Sequence, residues 1–339
     1  MSENTGGHSP ESKPMRLLHG FACLTAVGTF LLVIAGGLVT STGSALAVPD
    51  WPLSFGMLMP PMVGGVLYEH GHRMIAGTVA IMMLVLAIWI ARREPRPWVR
   101  TVAWSALSAV VFQAFLGGLT VLLLLPLPIA VGHAALGQTF FCLTVVLALA
   151  TSPGWPSLAG GAPSGAGAAV PASLRCLAKA MVAAVFIQLL LGAVIRHANA
   201  GLAIPDFPLS FGHFVPPFWS KKIVAAFAHR AWALVVLAVG IAVALAALRM
   251  RHSRPDIAWP GGLLLLLLPA QVTLGAVTVV SGKAVAPTTA HVVTGALLLA
   301  VSLAIAIFSH VPERVRLLRP GDSAPAPATG GPSPTRQPA

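Results

Sequence analysis

Charge is what this sequence has least of. Only 9% of its 339 residues are Asp, Glu, Lys or Arg, where a soluble globular domain carries about 25%. A water-exposed globular body is thereby excluded. Acids are the scarcer half, nine against 21 Lys plus Arg, for a net charge of +12. That surplus alone would suggest nucleic acid, but the cations lie in short clusters between apolar runs, so no nucleic-acid partner is expected. Cysteine occurs three times, at Cys23, Cys142 and Cys176. All three lie in or at the ends of apolar runs with no Cys-x-x-Cys spacing, which reads as small buried hydrophobes. Residues 1–15 contain no signal-peptide core, so the first apolar run is expected to remain as a helix.

What the chain has is long apolar runs. A bilayer-spanning helix needs roughly 20 mostly apolar residues, and eight stretches qualify: about 17–40, 71–91, 101–124, 130–151, 176–196, 223–248, 261–281 and 287–310. Lys13, Arg16, Arg92, Arg93, Arg96, Arg100, Arg175, Lys179, Arg249, Arg251, Arg254, Arg314, Arg316 and Arg319 all fall on one side of such an arrangement. The positive-inside rule then puts both termini in the cytoplasm.

The chain also says nearly the same thing twice. Residues 49–56 read Pro-Asp-Trp-Pro-Leu-Ser-Phe-Gly and residues 205–212 read Pro-Asp-Phe-Pro-Leu-Ser-Phe-Gly. His72-Arg73 recurs as His229-Arg230, and His133 with Gly137 recurs as His291 with Gly295. Gln113-x-x-x-Gly117 matches Gln271-x-x-x-Gly275, and Gln188-x-x-x-Gly192 has the same spacing. Those glycines fit close helix packing or a flat cofactor pressed against the backbone. The expected fold is therefore an all-α integral membrane protein, eight transmembrane helices as two tandem four-helix bundles. An even number of spans per half gives parallel repeats, related by a pseudo-two-fold axis along the membrane normal. The expected divisions are a cytoplasmic tail 1–15, a bundle 16–151, a Gly/Ala/Pro/Ser linker 152–175, a bundle 176–310 and a disordered cytoplasmic tail 311–339.

Four histidines at repeat-equivalent positions, all near the outer ends of their spans, are the candidate chemistry, because ionisable groups inside a bundle are functional by default. Two imidazoles on separate helices at one depth suit axial ligation of a haem iron. A structural zinc would require four ligands, and copper would bring Cys or Met nearby. Arg73 and Arg230 are placed to pair with haem propionates or to snorkel to the interface. Asp50 and Asp206 read as caps of turns. His70 and His197 lack repeat partners and read as solvated or structural. The halves differ at one place: Glu69 stands three residues before His72, whereas Ala226 stands three before His229. An i,i+3 spacing puts Glu69 on the face of His72, which suggests reaction in the first site and electron storage in the second.

Glu69-x-x-His72-Arg73, His133, His229-Arg230 and His291, with Gly36-Gly37-Leu38-Val39-Thr40, Thr42-Gly43-Ser44 and Trp51-Pro52-Leu53, resemble the haem A synthase family over about residues 16–310. The resemblance implies an oxidoreductase that converts a methyl group of haem O to the formyl group of haem A by successive hydroxylations, for cytochrome oxidase biogenesis. It further implies haem b on His229 and His291 in the C-terminal bundle. Substrate haem O would sit on His72 and His133, with Glu69 needed for turnover. Implied partners are haem O synthase, an electron donor and membrane lipids, with self-association left open. Many members carry an outer-loop cysteine pair, but residues 41–70 and 195–222 here contain none; either a mechanism that requires the pair does not operate here, or loop rigidity from Pro49, Pro52, Pro205 and Pro208 takes its place. The rival readings are a di-haem electron carrier of the cytochrome b type and a transporter built on parallel repeats.

Overall fold

The computed structural model describes residues 12–152, 155 and 169–311. Most of the expected 152–175 linker and the two tails lie outside those residues, as do Arg314, Arg316 and Arg319. Among the described residues there are eight helices: α1 Ser12–Ser41, α2 Gly65–Arg93, α3 Pro97–Leu122, α4 Leu127–Ala150, α5 Ala172–His197, α6 Lys221–Arg249, α7 Pro255–Val280 and α8 Val285–His310. Each is long and apolar enough to cross a membrane. Most begin several residues before the apolar run that announced them. The reason is local: Pro97 and Pro255 occupy the first helical position, where a fixed φ and a missing N–H cost nothing.

Helices α1 to α4 pack in a ring, α1 on α2, α2 on α3, α3 on α4 and α4 on α1, and α5 to α8 repeat the ring. Between the bundles α1 meets α8, α4 meets α5 and α4 meets α8. Exchanging the halves maps α1·α8 onto α5·α4 and α4·α8 onto itself, so the pseudo-axis passes between α4 and α8. The apolar cores fill the end of each bundle where α1 begins and α8 ends (the terminus face). Leu18, Met83, Leu86, Ile90 and Leu147 pack one core, and Leu174, Met181, Ile257, Leu264 and Leu299 the other. Cys142 and Leu149 of α4 lean on the second core. Among the described residues the three cysteines are free.

An arginine clamp closes the terminus face of each bundle. Arg96 pairs with Glu94 through Nε and Nη2 (2.7 and 2.8 Å) and donates to the Ala150 carbonyl at the end of α4 (2.8 Å). Arg254 pairs with Asp256 (3.0 and 2.9 Å) and donates to the Phe308 carbonyl near the end of α8 (2.6 Å). Each guanidinium satisfies a helix-terminal carbonyl and complements the negative end of the helix dipole.

The opposite, loop face carries residues 42–64 and 198–220, and the repeated octapeptide builds the same turn in both. Ser54 and Met57 form a bridge, as do Ser210 and His213, and Trp51–Pro52 and Phe207–Pro208 are cis. Gly56 and Gly212 take φ of 70° and 76°, which glycine adopts without steric cost. The Asp50 carboxylate accepts from the Phe55 and Gly56 amides (2.6 and 2.8 Å). Asp206 does the same with Phe211 and Gly212 (2.7 and 2.8 Å). Both aspartates close turns, as their sequence setting suggested. The amides of Gly56 and then Phe55 hold the Asp50 carboxyl below its ordinary 3.8, and those of Gly212 and Phe211 act likewise on Asp206.

Candidate functional site

Each of the four histidines stands on an even-numbered helix toward the loop face, against a glycine of the helix before it. A Cβ on Gly36 would lie 3.2 Å from His72 Cε1, on Gly117 3.2 Å from His133, on Gly192 3.3 Å from His229 and on Gly275 3.0 Å from His291. The repeated glycines are therefore the floors on which imidazole rings lie. What these glycines admit is close approach of a neighbouring helix with its histidine ring, rather than a flat cofactor against the backbone. The glutamine one turn before the glycine serves the same hairpin. Gln113 Nε2 donates to the His133 carbonyl (2.8 Å) and Gln188 Nε2 to the His229 carbonyl (3.1 Å). His291 Nδ1 lies 3.1 Å from the Gln271 carbonyl. An N–H donated from the far ring nitrogen to a backbone carbonyl is how a ligating histidine is oriented.

The His229 and His291 rings have centroids 6.4 Å apart and planes at 66°. Two ~2 Å metal–imidazole bonds, plus ~1 Å from each nitrogen to its ring centre, set two axial imidazoles ~6 Å apart. The observed separation is of the size that one iron between the two rings would need. Among the described residues no three His, Cys, Asp or Glu side chains gather as a metal held by protein alone would require. A porphyrin, which brings its own nitrogens, suits a two-ligand site. Buried polar atoms without a protein partner also collect here: Nδ1 of His72, His133 and His229, and Oε1 of Gln113, Gln188 and Gln271. Such atoms are rare in interiors and mark places where a further group belongs.

Glu69 is buried, 4% exposed. Its i,i+3 spacing predicted a carboxylate turned toward the ligand of His72, yet both oxygens are engaged elsewhere. Oε2 accepts from the Val48 amide (2.9 Å) and Oε1 from Arg73 Nη2 (2.6 Å). Arg73 Nη1 also donates to the carbonyls of Asp50 (2.8 Å) and Leu53 (2.9 Å). In the other half Arg230 Nη1 reaches the carbonyls of Asp206 (2.8 Å) and Leu209 (3.0 Å), and Nη2 the carbonyl of Ile204 (2.9 Å). Both arginines are loop clips. Where Arg230 has a third carbonyl at short range, Arg73 has Glu69. Trp51 lies over Gly118, where an added Cβ would come within 2.6 Å of the indole, so the first loop folds down next to the glycine that backs His133.

Four contributors escaped the sequence reading. They are the Val48 amide, Trp51 on Gly118, and the pairing of His70, buried at 6% exposure, with Ser54 (Nδ1 to Oγ 2.8 Å). The fourth is Arg196, whose Nη2 donates across the bundle boundary to the Gly37 carbonyl and Ser41 Oγ, each at 3.3 Å. His197 stands close enough to His133 to interact electrostatically, and Arg196 to His291. The adjacency of Arg196 and His197 at the end of an apolar run was the available signal.

The chain is 27% identical over 272 residues to the heme A synthase of Halalkalibacterium halodurans, covering 79% of this chain and 89% of that protein. It is 28% identical over 265 residues to the heme A synthase of Symbiobacterium thermophilum, covering 77% and 85%. To that of Shouchella clausii it is 30% identical over 220 residues, covering 63% and 70%. A family model named COX15-CtaA, described as cytochrome oxidase assembly protein, matches residues 65–303. That match spans more than half of the sequence and takes in all four histidines, so the chain belongs to the COX15-CtaA family of cytochrome oxidase assembly proteins.

Proposed function

We propose that this protein is a haem A synthase of the bacterial plasma membrane, oxidising one methyl group of haem O to the formyl group of haem A by successive hydroxylations and loss of water. The observation that supports this most is that the imidazole pair was copied between the halves and the acid was not. His229 and His291 would hold haem b, with Gln188 and Gln271 fixing their helices' registers. His72 and His133 would hold haem O, each pinned by its glycine. The haem irons would supply electron storage in one bundle and oxidising chemistry in the other. Glu69 sits at the rim of the substrate site, tied to Arg73 and to the Val48 amide. From there it takes up protons leaving the methyl carbon or stabilises positive character developing there. Trp51 and the clipped loop cover the site and exclude water. Haem O synthase and an electron donor are the implied partners, and both termini face the cytoplasm.

The test is pigment extraction from protein purified out of cells that make haem O, with the haems identified by mass. Haem b together with haem O or haem A is the expected result. Haem b alone at two per chain would instead favour a di-haem electron carrier. Glu69→Gln is expected to retain haem b and to yield no haem A; a normal yield of haem A from that variant would sink the role given to Glu69.

A further inference from the structure

Arg196 is the cation that the repeat does not explain. Gly192 corresponds to Gly36, so Arg196 stands where the first half has Thr40. The Thr40 hydroxyl merely donates back to the carbonyls of Gly36 and Gly37 (3.0 and 3.1 Å). Arg196 lies four residues beyond Gly192, hence on the same side of α5 and one turn, ~5.4 Å, closer to the loop face. Gly192 is the floor of the His229 ring. The contacts of Arg196 Nη2 with Gly37 and Ser41 show the guanidinium reaching across the bundle boundary from α5 to the end of α1. Gly37 in turn packs on Thr289, two residues before His291, with 3.3 Å between an added Cβ and Thr289 Cγ2. The charge is thus wedged one turn above the His229–His291 pair, at the seam between the bundles.

It has no counter-ion there. The ion pairs among the described residues are Arg73–Glu69, Arg96–Glu94 and Arg254–Asp256, and Arg196 belongs to none. A guanidinium carries five N–H donors, and the hydrogen bonds of Arg196 to Gly37 and Ser41 both come from one nitrogen. An uncompensated charge within a membrane-embedded bundle is costly and marks a ligand site. Arg73 and Arg230 are poorer candidates for an anion, because loop carbonyls already occupy them.

We propose that Arg196 is the carboxylate-binding residue of the C-terminal site, its guanidinium taking a propionate of the tetrapyrrole held between His229 and His291. This rests on the haem reading above and adds to it the anchor that orients the macrocycle. It also explains why the cation occurs in one half only: a permanently held group profits from a fixed anchor, and a substrate that must leave does not.

The experiment uses full-length protein from cells that make haem b but no haem O. Midpoint potential and the rate of haem transfer to apomyoglobin are measured for wild type, Arg196→Lys, Arg196→Gln and His229→Ala. Arg196→Gln is expected to lower the potential, since a positive charge near the macrocycle favours the reduced iron, and to speed haem loss about ten-fold, the scale of one charge-assisted hydrogen bond. Arg196→Lys keeps the charge but not the fork, so its potential should stay near wild type while haem loss quickens. An unchanged potential and haem-loss rate in Arg196→Gln, with His229→Ala haem-free, would overturn the inference and leave the haem reading standing. A Gln variant that loses only thermal stability would show that Arg196 merely ties α5 to α1. If Arg196→Gln does not accumulate, a Lys variant that loses haem at the wild-type rate overturns the proposal. A wild type that takes up no haem b would overturn the bis-histidine reading and this anchor together.

Discussion

At Gly275 a methyl group would sit 3.0 Å from His291 Cε1, tighter than carbon atoms ordinarily pack, and the rigid ring can yield only by moving its nitrogens. Gly275→Ala is therefore expected to reduce haem b content at least several-fold while the protein still folds. Gly20→Ala, where nothing lies within 4 Å, is expected to be neutral or to stabilise by up to ~1 kcal/mol through helix propensity. Absorbance of the purified proteins checks the first, and thermal denaturation the second. Asp50 gives a pH signature. Its native value is depressed by the Gly56 and Phe55 amides, so its contribution is present above the ordinary carboxyl value and is lost as pH falls through the native one. Amide exchange at residues 50–57 should quicken in acid, and Asp50→Asn should reproduce that at neutral pH. Histidine identity, and the contrast of Glu69 with Ala226, were legible in the sequence because both are positional. The direction of the Glu69 carboxylate was not, because it depends on a loop that brings the Val48 amide back from 21 residues away.

Among the elements, eight spans could be read because hydropathy accumulates along a helix, and the hairpin pattern could be read because its spacings repeat. The clamps could not. Arg96 and Arg254 counted as topology signals, and only the fold shows them reaching 54 residues ahead to the carbonyls of Ala150 and Phe308. Their acids also hide the kinship, since Glu94 precedes its arginine by two residues and Asp256 follows by two. Arg254 is 3% exposed, and removing one member of a buried pair costs ~3–5 kcal/mol. Arg254→Met should accordingly lower stability by about 3 kcal/mol. Arg251→Met, on an exposed side chain, should change it by less than ~0.5 kcal/mol. Thermal unfolding in detergent compares them, and equal losses would argue against the clamp.

For the molecule as a whole, the structure sharpens the charge asymmetry that suggested its orientation. On the loop face Arg73 and Arg230 are taken up by loop carbonyls and Arg196 stands in the seam between the bundles, leaving Lys221, Lys222 and Lys283. The other face keeps Arg92, Arg93, Arg100, Arg249 and Arg251 beside its clamps. A fluorescent protein fused after residue 339 should glow and alkaline phosphatase fused there should be inactive; the reverse pattern would invert the topology.

The ring of contacts within each bundle also fixes when a site comes into being during synthesis. Each imidazole pair takes one histidine from each of two hairpins, and the second always arrives on the last helix of its bundle. The N-terminal pocket is complete once α4 has entered the bilayer, with the second half of the protein still unmade. The C-terminal pair must wait for α8, nearly the whole translation. On the proposed assignment, the haem held by His229 and His291 would therefore enter last, into a molecule whose substrate chamber is already built, and a ribosome stalled after α4 would release that chamber without its electron store.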